Sequence, residues 1–143
     1  MGYRRQKTVA VVIAAVFLTS LLINLIRIFW NNPRHFIATF TISREVGLPW
    51  IPYISILVIF CSLLGAIGLL KYRQWGFYAI YLTYLMSTLV VWFPFFPTFL
   101  FEFTSGMYWG VITLIVVYAV LGVLIYLHLS GKKRGYFGKS AAV

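Results

Sequence analysis

Aspartate is absent from this chain, glutamate occurs only at Glu45 and Glu102, and Cys61 is its one cysteine. Without aspartate there is no Ser-His-Asp arrangement, and a lone cysteine admits neither an intrachain disulfide nor a cysteine-built metal cluster. Charge of either sign is scarce, at 10% of the 143 residues, against roughly 25% in soluble domains. The stretches between hydrophobic runs are too short for a separate soluble domain, so one compact bundle is expected. Lipid-anchor signals are missing as well: the start Met1-Gly2-Tyr3-Arg4-Arg5-Gln6 has no Ser or Thr at its sixth position, and the final residues offer no cysteine to prenylate. The first apolar run continues to Trp30 without a small-x-small cleavage site, which predicts that it is retained as a helix.

What the chain has is hydrophobic length. Apolar residues make up 62% of it. A helix rises ~1.5 Å per residue and a hydrocarbon core is roughly 30 Å thick, so about 20 residues cross it. Four runs qualify: Thr8–Trp30, Trp50–Leu70, Trp75–Phe93 and Met107–Leu129. The expected fold is an all-α membrane protein, a single four-transmembrane-helix bundle. The tight Lys71–Gln74 connection makes the middle helices antiparallel. The longer connections are Asn31–Pro49 and Pro94–Gly106, and the basic tail from 130 to 143, with Gly131, Gly135 and Gly138, is expected to be flexible.

The net charge of +10 would suggest nucleic acid in a soluble protein. Here the basic residues flank apolar runs and orient them instead. Arg4, Arg5, Lys7, Lys71, Arg73, Lys132, Lys133, Arg134 and Lys139 fall on one side; Arg27, Arg34 and Arg44 fall on the other, with both glutamates. The excess predicts both termini in the cytoplasm, with a bacterial inner membrane as the expected location and anionic lipids rather than nucleic acid as partners of the basic residues. Trp30, Trp50, Trp75, Trp92 and Trp109 all lie near predicted helix ends, where an indole buries its ring and keeps its N–H wet. Prolines 33, 49, 52, 94 and 97 gather in or beside the two outer connections. Asn32-Pro33 reads as a helix start and Thr39–Ser43 alternates like a strand, so Asn31–Pro49 is expected to be a structured outer segment, either re-entrant or hugging the interface.

The first run carries a polar stripe. Ser20, Asn24, Arg27 and Asn31 follow at i, i+4, i+7 and i+11 and share one helix face. Two readings apply: a pocket open to the outside and lined by Arg27, with Arg34 and Glu102 near its mouth, or a guanidinium that snorkels to the phosphates. Ser55, Tyr84, Ser87, Thr88, Gly110 and Thr113 lie at similar depth and serve either a shared vestibule or helix packing. Small residues at four-residue spacing, Cys61 with Gly65 and Gly106 with Gly110, point to close packing of helices. His35, Glu45 and Glu102 are the remaining groups on the outer side with acid–base or metal-binding chemistry, while His128 sits at the opposite face. No cofactor, metal or catalytic set emerges. The expected function is non-enzymatic: an accessory or structural membrane subunit acting on a membrane-protein partner or a second copy of itself. The alternative is a site for a lipid headgroup, quinone or small anion at Arg27. The Phe-rich stretch from Phe93 to Phe103 is too apolar for a solvated loop and suits an interface.

Overall fold

The computed structural model describes residues 2–26, 30, 41, 43–45, 47–104 and 109–137, with the backbone alone described at 24, 90–104 and 109–111. Among the described residues the protein is helical, with no strand. Four long helices are described: α1 (Tyr3–Ile26), α2 (Ile51–Leu70), α3 (Gln74–Thr104) and α4 (Trp109–Lys133). Three of them hold apolar stretches long enough to cross a membrane, Tyr3–Ile23, Ile51–Leu70 and Ile112–Lys133.

The closest pair is α2 and α3, and glycine makes it so. A methyl group at Gly68 would fall 2.9 Å from the Gly76 nitrogen, and one at Gly65 would fall 2.7 Å from Ile80 Cγ1. At Gly68 and Gly76 the two backbones therefore meet where neither helix has a side chain, the close approach by which helices associate when lipid supplies no hydrophobic drive between them. The reversal joining them occupies three residues. Tyr72 N–H donates to the Leu69 carbonyl and Arg73 N–H to the Gly68 carbonyl at 2.8 Å, so the last carbonyls of α2 are satisfied as the chain turns. Tyr72 takes the left-handed conformation, φ 50°. That conformation costs a non-glycine residue about 1–2 kcal/mol, and it is offset by burial of the whole Tyr72 ring.

α1 lies against the hairpin through Gln6, Ala10 and Ala14, all fully buried and spaced by four. α4 closes the bundle with Leu124, Leu127 and His128. The described core, built from Ala66, Leu69, Tyr72, Phe77, Ile80, Leu124 and Leu127 with their neighbours, sits at the end of the molecule where α1 begins, α2 turns into α3 and α4 finishes. Away from that end the helix flanks are apolar and exposed, as at Val16, Ile115 and Val116.

Three helix limits differ from those expected. α1 begins at Tyr3 rather than Thr8, since hydropathy marks where a helix enters lipid, not where it starts; Arg4, Arg5 and Lys7 are good helix formers. α3 continues past Phe93 and through Pro94 and Pro97 to Thr104. Each proline removes one helical hydrogen bond, yet breaking the helix in an apolar setting would leave more groups unsatisfied. α4 extends to Lys133, and residues 134–137 after it are folded where flexibility was expected; the rest of the tail, 138–143, lies outside the described residues. Gly135 adopts φ 67° and donates its N–H to the Lys132 carbonyl, which stops the helix and returns the chain. Tyr136 is consequently buried. Gly131 is also a slot, because a methyl there would press on Phe137 Cζ and the Tyr72 hydroxyl at 3.1 Å. In the segment between α1 and α2, Ser43–Glu45 is helical and Ser43 is buried.

Candidate functional site

Polar side chains in contact across helices concentrate at the basic end. The Tyr72 hydroxyl donates to Gln6 Oε1 at 2.9 Å, and Gln6 Nε2 donates to Ser130 Oγ at 2.7 Å. One amide thus joins α1, the α2–α3 turn and α4. Tyr3 meets the rings of Tyr72 and Tyr136 edge-on, with centroids 5.7 and 5.5 Å away, and Phe137 packs on Tyr72 at 5.3 Å. Burial first, then the nearby Tyr3 and Tyr136, push the Tyr72 hydroxyl up from 10.0 to about 12, so it remains a donor to Gln6 across ordinary pH.

His128 occupies the neighbouring position, 6% exposed. Its imidazole stacks on Phe77 at 5.1 Å and is enclosed by Tyr78, Tyr81 and Phe137. Tyr81 Oη lies 2.9 Å from Nδ1, while Gln74 Nε2 lies 3.5 Å from Nε2 and also donates to the Tyr78 hydroxyl at 3.1 Å. Both ring nitrogens therefore have a partner, one on each side of the imidazole. Among the described residues no buried side-chain nitrogen or oxygen lacks a partner.

Farther along the bundle the helices part. A cleft of about 430 Å³ opens between α1, α3 and α4, lined by Val12, Val16 and Ser20, by Tyr84 and Ser87, and by Val117 among others. Its floor is held by the Tyr84 hydroxyl, which donates to the Val117 carbonyl at 2.8 Å, and by a hydrogen bond between Thr88 and Tyr118. Phe17 meets the Tyr84 ring edge-on at 6.2 Å. The walls are otherwise almost wholly aliphatic, which suits a hydrocarbon chain or an apolar side chain rather than a hydrated ion.

Of the residues singled out in the polar stripe, Ser20 is exposed and lines this cleft. Asn24 and Glu102 are described as helical backbone, and Arg27, Asn31, Arg34 and His35 lie outside the described residues. Glu45 is exposed. Ser55 donates to the Ile51 carbonyl of its own helix at 2.9 Å. Gly65 lies against Ile80, Cys61 is half-buried, Gly110 is helical and Gly106 lies outside the described residues. Trp30 and Trp75 are exposed and Trp50 precedes the first turn of α2; Trp92 and Trp109 are helical, with their side chains outside the description. Among the described residues no three of His, Cys, Asp and Glu stand close enough to share a metal ion.

Sequence reasoning passed over Gln6, Tyr72 and Phe137, and it placed His128 at the basic face without neighbours. One signal was available. Gln6, Ala10 and Ala14 form a small-and-polar series at four-residue spacing, the pattern of a helix face pressed on another helix. The chain matches no family model, no curated protein sequence and no solved structure.

Proposed function

We propose that this protein is a non-enzymatic integral membrane protein, an accessory or structural subunit that presents the open flank of its bundle to a partner in the same membrane. The observation carrying this reading is the asymmetry of its fastening. Gln6, Tyr72, Ser130 and His128 bind the helices together at one end, whereas the rest of α1 and α4 bounds an apolar cleft with exposed aliphatic walls. A bundle made for its own stability alone gains nothing by leaving its helices apart, while a partner helix entering that gap completes the packing.

The proposal takes all four helices as spans: α1, α2 and α4 are apolar enough to cross, and α3, 31 residues long, is packed antiparallel on α2 through the glycine contacts. The start of α1, the α2–α3 turn and the end of α4 share one end of the bundle, and the positive-inside rule puts that end in the cytoplasm. The plasma membrane of a bacterium is the proposed location.

A second reading, a lipophilic ligand in the cleft, draws on Ser20 and Ser87, whose hydroxyls stand among the aliphatic walls and would orient a carbonyl or headgroup. Native mass spectrometry of the protein extracted gently from its own membrane separates the two. A stoichiometric membrane protein retained with the chain is the expected result; a protein carrying only a quinone or lipid supports the second reading, and a bare monomer overturns both. A reporter fused at the C-terminus should signal from the cytoplasm, and an external signal would overturn the four-span topology.

A further inference from the structure

A second groove, of about 400 Å³, runs along the flank between α3 and α4. Its walls include Tyr81, Leu85 and Thr88 from α3 and Tyr118, Leu121 and Ile125 from α4, and it ends at His128 and Leu129. On α4 the lining falls at 118, 121, 125 and 128, and the next position on that face is Lys132. On α3 the lining at 81, 85 and 88 continues backward to Tyr78 and Gln74, whose side chains are hydrogen-bonded to each other. The groove is therefore mostly apolar over ~15 Å, ten residues of helix, and beyond its His128 end the next positions on the same two helix faces carry an ammonium, an amide and a phenol. Lys132 is exposed, Tyr78 is half-exposed, and Lys133 follows on the next position.

We propose that this groove seats one anionic glycerophospholipid of the surrounding bilayer, with an acyl chain along Leu85, Leu121 and Ile125 and its phosphate at Lys132, Gln74 and Tyr78. The inference rests on the membrane-spanning reading above. Length is one argument for this occupant, since ~15 Å is the depth of one leaflet of a ~30 Å hydrocarbon core, measured here from the helix ends inward. Charge is the other. The chain's two glutamates stand at 45, before α2, and at 102, near the far end of α3, so neither lies at the cationic rim at the opposite end of both helices. A partner helix would fill the apolar length and leave Lys132 unmatched; a lipid phosphate meets both halves.

The test uses the full chain, purified in a neutral detergent and titrated with phosphatidylglycerol or with phosphatidylcholine of identical acyl chains, with retained lipid counted by native mass spectrometry. Phosphatidylglycerol should be preferred by about fivefold, the ratio that one near-surface lysine supplies. Lys132→Gln should bring that preference close to unity, and Ile125→Trp, a change at an exposed groove position that the fold accommodates, should displace both lipids. Equal retention of the two lipids by the unaltered chain overturns the proposal, as does a preference that survives Lys132→Gln. Alkaline carbonate extraction of membranes containing the same chain separates this failure from that of the underlying reading: a chain that stays in the membrane but shows no preference refutes the lipid seat alone, and a chain that is released refutes the membrane span.

Discussion

The basic end of this bundle and its opposite half are built from the same four helices but held by different forces. At the basic end, glycine contacts bring α2 and α3 backbone to backbone, Gln6 joins three segments, and His128 is walled by aromatic rings. Along the far half of α1 and α4, valine, isoleucine and leucine face outward around a cleft, and the polar contacts described there are few: Tyr84 to Val117, Thr88 to Tyr118, and hydroxyls turned back on their own helices. In the membrane setting proposed above an exposed leucine is already solvated by hydrocarbon, so burial of apolar area is not what unites the helices. Close approach at small residues and hydrogen bonds between helices do that work, and they are concentrated at one end.

The sharpest way to break the comparison is to spoil the glycine contact. Gly68→Leu drives a side chain into the Gly76 backbone, which cannot yield as a side-chain tip would, so the loss should reach or exceed about 3 kcal/mol. Size-exclusion chromatography should show the monodisperse peak lost. A contrasting change near the middle of α4, Gly122→Ala, meets nothing within 4 Å and should leave stability within about 0.5 kcal/mol.

Gln6→Leu comes next. It removes the partner of both the Tyr72 hydroxyl and the Ser130 hydroxyl, at about 1–3 kcal/mol for a buried group left without a bond. Thermal melts in detergent should fall clearly, and Tyr72→Phe, which orphans Gln6 Oε1 alone, should fall by less. If the two variants melt alike, Ser130 contributes nothing to the fastening.

The smallest effect is that of pH. Because Tyr72 is held near 12 when folded and ionises near 10.0 when unfolded, the fold favours its neutral form. Its contribution is complete below pH 10 and is lost as pH rises towards 12. A melting-temperature profile should therefore decline over that window in the unaltered protein and more shallowly in Tyr72→Phe. Ser20→Ala, in the cleft, should shift neither the melt nor the profile, whereas a change in what co-purifies would mark the cleft as an occupied site.

Much of the architecture was legible in the chain itself. Hydropathy located α2 to within a residue at each end, placed one run inside α3 and runs that overlap α1 and α4, and the short Lys71–Gln74 connection announced the hairpin. Hydropathy is a poor ruler of helix length, however. It missed the charged first turn of α1 and stopped α3 at the first proline, because both judgements treat a polar or imino residue as an end when the backbone hydrogen-bond ladder continues. Tyr72 was illegible for a different reason. A left-handed residue is ordinarily marked by glycine or asparagine, and a tyrosine there makes sense only once its ring is seen to be buried by Tyr3, Phe77 and Phe137. Gly131 and Gly135 were read as loosening the tail, though one makes room for Phe137 and the other ends α4. The Arg27 stripe remains a property of spacing along one helix.

By itself the sequence determined the helical state, the apolar lengths and the gathering of positive charge at particular helix ends, since each follows from residues close together in the chain. Only the tertiary structure decided which face each helix turns inward, that Gln6 and His128 become fastenings rather than surface groups, and that a groove at the α3–α4 flank ends at His128 and Leu129. Those outcomes depend on rotations about helix axes. Between nearly uniform apolar cylinders, such rotations are selected by a few contacts between residues far apart in the chain.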